Sequence, residues 1–212
     1  MNRLLDVGLE QLTVIVFKMG EVAERAIGVS IRGFMKGQDV TGPVHDLSDM
    51  LNTMTVEVED KAFELIVKYQ PVASDLRIIN SYIKIAYDFE RYGRYAWDIS
   101  FTHKKIAQSE PCHDYLGTMN ELTEKVSSMV TKSILALKRH DAELAKTLAS
   151  TENEVDDLYF KFLSQISEVP IDKKFAMCNL LISRFLERIA DHATYVCESV
   201  IYMVTGEKIS LR

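Results

Sequence analysis

Two pairs of carboxylates carry the chemistry that this 212-residue chain offers most openly: Glu152 with Asp156, and Glu187 with Asp191. A spacing of four on a helix puts both acids of a pair on one face, in successive turns. Like charges so placed repel by roughly a few tenths of a kcal/mol, so the arrangement calls for a compensating cation. Glu152 also fills a slot of an apolar stripe, four after Leu148 and three before Val155. An inward carboxylate is costly unless it is paired or bound to a cation. If the two helices pack side by side, four carboxylates converge. Oxygen-only donors suit hard cations such as Mg²⁺, Mn²⁺, Ca²⁺ or Fe³⁺. His192, next to Asp191, could add a nitrogen, although adjacent helical residues project about 100° apart. The plain alternative is ion pairing, because Arg184 and Arg188 lie one turn from these acids.

Other constellations are weaker. Glu110–His113 is a single Glu-x-x-His, whereas a di-iron bundle needs two such motifs plus two more glutamates. His140–Asp141 is a lone HD dipeptide at a helix junction, a poor basis for a metal-dependent phosphohydrolase. Tyr82, Tyr87, Tyr92, Tyr95 and Trp97 could form a stacking surface, but a formal net charge of −6 disfavours nucleic acid and points to core and inter-bundle packing. Cys112, Cys178 and Cys197 form no CxxC pair, so they read as buried small hydrophobes in a reducing compartment. No glycine-rich phosphate loop and no Ser/Cys-His nucleophile arrangement is present. Neither an export signal nor an apolar run of the roughly 20 residues needed for a membrane span is found.

The elements that must position the acids are helices. With only 9 glycines and 4 prolines the chain has too few punctuators for a sheet-rich fold. Leu5, Leu9, Leu12, Val16, Met19, Ala23 and Ala26 trace a first helix, from about Asn2 to Met35. A second runs from about Val44 to Tyr69. Pro71 opens a third, which continues to about His103. After a break at Ala107–Pro111, a fourth follows Tyr115, Met119, Leu122, Val126 and Met129. Asp141 is the expected N-cap of a fifth, running to about Glu168. Pro170 starts the sixth, whose buried face carries Phe185, Ile189, Val196, Val200 and Met203 and which Gly206 ends with a left-handed cap. Six long helices with short connections predict an all-α bundle fold.

The halves resemble each other. An offset of 97 positions lays Glu90-Arg91-Tyr92-Gly93 on Glu187-Arg188-Ile189-Ala190, Asp75 on Asp172, and Ile85 on Ile182. An internal duplication follows, with two three-helix bundles at residues 1–107 and 108–212 leaning on each other.

At Gln70–Arg91, Glu152–Tyr159 and Arg184–Glu207 the chain resembles the PhoU family of phosphate-uptake regulators, over essentially its whole length. The resemblance implies a cytoplasmic, often dimeric, non-enzymatic protein, peripheral to the membrane. It would act beside the ATPase subunit of a phosphate ABC transporter and, in bacteria, damp a sensor histidine kinase. It also implies metal sites at E(D)xxxD motifs, with multinuclear iron or zinc in some members. That pattern is kept at Glu152, Asp156, Glu187 and Asp191, so a metal (Fe, Zn, Mg or Mn) is expected on the second repeat only. The first repeat departs from it: Arg94 stands where an acid is expected, and Ser48 and Asn52 take the acidic positions of the second helix. There Arg94 could pair with Glu90 in place of a cation. The rival readings are a metal-dependent phosphohydrolase and a metal-free helical scaffold.

Overall fold

The stripe Leu5, Leu12, Val16, Met19, Ala23 and Ala26 is buried along α1 (Leu4–Lys36), as its spacing requires. The rest of the chain repeats that logic in a computed structural model that describes residues 4–107, 117–168 and 172–211. The helices are α2 (Thr41–Tyr69), α3 (Ala73–Thr102) with a π-helical extension over His103–Ala107, α4 (Thr118–Arg139), α5 (Ala142–Lys146), α6 (Leu148–Glu168) and α7 (Lys173–Thr205). No strand occurs among the described residues, and the fold is all-α.

Caps set several boundaries. The Asp141 side chain accepts from the Leu144 N–H at 2.9 Å and starts α5. Asp172 does the same for α7, accepting from the N–H groups of Lys174 and Phe175. Gly206, at φ 81°, ends α7 with its N–H bonded to the Tyr202 carbonyl.

Two expectations change. The third helix begins at Ala73, not at Pro71, because Val72 is extended (φ −126°, ψ 160°) and Ala73 takes a left-handed φ of 49°. The fifth helix is broken at Thr147. There the N–H turns back to the Leu144 carbonyl at 3.1 Å, and the Thr147 hydroxyl donates to that same carbonyl at 2.7 Å. A side chain bonding the backbone in this way weakens and bends a helix. Cys112, Tyr115, Pro170 and the Glu110–His113 motif lie outside the described residues.

Helices α1–α3 form one triplet, and α4 with α5–α7 the other. The most extensive contact between two helices joins α3 to α7, the last helix of each triplet. A single apolar core therefore runs through both, with Tyr82, Phe89 and Tyr92 of α3 fully enclosed. The Tyr92 hydroxyl meets Ser133 of α4 at 3.2 Å, and that of Tyr82 meets Thr13 of α1 at 3.0 Å. These two rings are core, as expected, whereas Tyr87 is exposed.

Candidate functional site

Arg184 of α7 marks the register of α6 against α7, its guanidinium lying 5.8 Å from the Tyr159 ring centroid. Their short connection makes the two helices antiparallel neighbours. Asp156 therefore stands level with Glu187, and Glu152 level with Asp191, one turn further on. Glu152, Glu187 and Asp191 are buried, and Asp156 is half-buried.

What surrounds the α7 acids is cationic. Arg184 Nη1 lies 2.6 Å from Glu187 Oε1. Arg188 reaches both acids, with Nε 3.5 Å from Glu187 Oε2 and Nη1 3.0 Å from Asp191 Oδ2. One guanidinium is thus ion-paired with both carboxylates. Among the described residues no three His, Cys, Asp or Glu side chains are grouped so as to hold a metal ion. As placed, the four acids do not make a donor set, and two arginines supply the positive charge. In the first repeat, Arg94 Nε lies 3.8 Å from Glu90 Oε1.

A buried polar contact between the two triplets lies elsewhere. His192 Nδ1 of α7 is 2.8 Å from Asp88 Oδ1 of α3, and both residues are buried. Burial pushes the Asp88 carboxyl above its ordinary value. His192 opposes the shift, Glu198 adds to it and Lys84 lowers it slightly. Three tyrosine rings close around the imidazole: Tyr195 at 5.4 Å, Tyr95 at 5.7 Å and Tyr87 at 6.3 Å between centroids. Burial also raises the Tyr195 phenol; Arg188 counters this, while Glu198, Asp88 and Glu152 reinforce it. Tyr195 thus stands between the acids of the α6–α7 face and the Asp88–His192 pair.

Beside this pair opens a cleft of about 600 Å³, lined by Lys84, Tyr87, Asp88, Tyr195, Glu198 and Tyr202 among others. The Glu198 carboxylate accepts from the Leu211 N–H at 2.9 Å, which ties the segment after α7 to the helix. Cys197 is enclosed nearby, and burial pushes its thiol far above the ordinary range, which leaves it unsuited to nucleophilic work.

Sequence reasoning reached His192 only as an extra metal ligand and passed over Asp88. A signal existed, since Asp88 falls on the buried face of α3 beside Ile85, Phe89 and Tyr92, where an unpaired acid is not tolerated.

The PhoU domain profile matches residues 16–101 and 119–200, once on each triplet. The chain belongs to the PhoU family. It is 30% identical to the phosphate-specific transport system accessory protein PhoU homolog of Clostridium acetobutylicum, over 99% of this chain and 98% of that protein. The PhoU homolog of Pseudomonas aeruginosa, with the same accessory-protein name, is 26% identical over 95% of this chain and 85% of its own length. The crystal structure of PhoU from Pseudomonas aeruginosa superposes with a TM-score of 0.88 at 26% identity, covering 95% of this chain and 99% of that one. The phosphate transport system regulatory protein PhoU from Streptococcus pneumoniae shares the fold, with a TM-score of 0.87 at 20% identity and coverage of 97% and 99%. These PhoU proteins are named as accessory or regulatory proteins, not as enzymes. Their fold accounts for the tandem triplets joined through α3 and α7.

Proposed function

We propose that this PhoU-family chain is an accessory regulator of phosphate transport that works by protein contact. The observation that carries the reading is the 30% identity, across 99% of the chain, to a named phosphate-specific transport system accessory protein. Its partners are the ATPase subunit of the phosphate ABC transporter and, where present, a sensor histidine kinase. It acts from the cytoplasmic face, peripheral to the membrane, as a homodimer. Among the described residues no helix is long and apolar enough to cross a membrane, which is compatible with that placement. A surface suited to protein contact is present on α2, where Val56, Phe63 and Val67 are exposed at steps of seven and four. The test is co-purification of the tagged chain with its cognate transporter ATPase, together with phosphate uptake in a deletion strain. Co-purification and deregulated uptake are expected. Absence of both would reject the proposal.

A second reading adds a metal on the α6–α7 face, held by Glu152, Asp156, Glu187 and Asp191. The burial of three of these four acids favours it. It requires Arg184 and Arg188 to withdraw. Metal content of chain purified without chelator or affinity resin decides the point, and a sub-stoichiometric content would reject it.

A further inference from the structure

Arg77, in the first turns of α3, makes no hydrogen bond or ion pair among the described residues, and its Nε is buried without a partner. A guanidinium carries five N–H donors, and leaving them unanswered away from water is costly. Arg77 is also the sole charged side chain, among the described residues, that lines a cavity of about 400 Å³ between α2, α3 and α7. No carboxylate shares that lining; Asn80 and Tyr202 add an amide and a hydroxyl to it. The walls are Ile66, Leu76 and Ile83, which lower the local dielectric and strengthen a charge–charge contact.

The end of α7 comes close to the guanidinium: Nη1 lies 3.1 Å from where a Cβ on Gly206 would stand, so a side chain there would push Arg77 aside by a few tenths of an ångström. Ile83 and Tyr202 line both this cavity and the larger cleft. That cleft carries Lys84, two turns along α3 from Arg77, and Lys208, whose ammonium sits 5.6 Å from the Tyr202 ring centroid. Of the three acids that line the cleft, Asp88 is held by His192 and Glu198 by the Leu211 N–H; the third, Glu59, lines the cleft but not the Arg77 cavity.

We propose that this cavity binds a small tetrahedral oxyanion of the phosphate class, paired with the Arg77 guanidinium and hydrogen-bonded by Asn80 and Tyr202. A planar guanidinium meets two oxygens of such an anion at once. The inference stands on the cavity itself and does not depend on the regulatory role.

The experiment uses the full chain and the Arg77 Nε–Hε resonance, identified by its loss in Arg77→Lys. Inorganic phosphate is titrated at constant ionic strength with chloride as the balancing anion. A saturable shift is expected, and binding weakens about tenfold or more in Asn80→Asp, because a carboxylate now faces the anion. Asn80 is exposed, so this variant keeps the fold, which an unchanged thermal midpoint checks. Phenyl phosphate forms a second arm. Saturation by inorganic phosphate assigns the free anion, and saturation by the ester alone assigns a phosphate carried on an organic body. A shift that never saturates, or that chloride alone reproduces, overturns the proposal, as does undiminished binding in Asn80→Asp.

Discussion

Asp88 and His192 meet at 2.8 Å across the α3–α7 interface, and the contact related to theirs by the duplication is a stack between Tyr95 and Phe185. The 97-position offset carries Asp88 onto Phe185 and Tyr95 onto His192. The stacked rings are 6.3 Å apart between centroids, with 26° between their planes. The internal duplication therefore relates a hydrogen-bonded contact to an aromatic one. The two copies have diverged in chemistry while keeping the same pair of positions in touch.

That asymmetry is measurable by paired alanine cycles in urea. Truncating Asp88 strands a buried imidazole, and truncating His192 strands a buried carboxylate. Each single change should cost about 3 kcal/mol, with strong coupling between the two. The Tyr95–Phe185 cycle should give coupling of only about 1 kcal/mol. Equal coupling in both cycles would show that the Asp88–His192 pair has no special role at the interface.

Arg188 serves two acids on α7, and its loss should be felt by both. Arg188→Ala should destabilise the chain by about 2–3 kcal/mol, because Glu187 and Asp191 are left buried without their shared cation. Adding Glu187→Gln and Asp191→Asn to that background should recover much of the loss. Thermal and urea midpoints of the single and triple variants check this. A triple variant no more stable than Arg188→Ala would rule out charge as the cause.

Gly93 is required by close packing. A Cβ there would lie 2.6 Å from Leu51 Cδ1 and 3.3 Å from the Ser48 backbone, so α2 and α3 could not approach as they do. Gly93→Ala should cost about 1–3 kcal/mol by overpacking, read as a lower urea midpoint. The equivalent position of the second copy, Ala190, already holds a buried methyl. Ala190→Gly there should lose about 1 kcal/mol through helix propensity.

Asp39 links the start of α2 to the π-helical extension of α3. Its carboxylate is held down to about 2, first by the hydrogen bond from Lys104 and then by the Thr41 backbone N–H and hydroxyl. A depressed carboxyl contributes stability above its unfolded value of 3.8 and loses it as pH falls toward 2. An NMR titration should show the Asp39 carboxyl carbon turning near pH 2, with amides of His103–Ala107 following it. In Asp39→Asn those amides should no longer respond over that window.

The residues dictate much of this molecule without help from its tertiary structure. Apolar steps of three and four specify the helices, since burial rewards a continuous stripe whatever it packs against. Asp141 and Gly206 mark their ends because capping is local chemistry. The duplication is legible because it is a relation within the sequence. The break at Thr147, where the N–H turns back to the Leu144 carbonyl, was not legible, because the apolar stripe runs on through it. The placement of charge required the assembled molecule. Spacing put Glu187 and Asp191 on one face, but whether a metal or a guanidinium answers them depends on side-chain direction, and Arg188 reaches both. Asp88 and His192 lie 104 positions apart and meet only because α3 and α7 pack together. A local pattern records which face of a helix is buried. It does not record what stands opposite, and for a buried charge that partner decides everything.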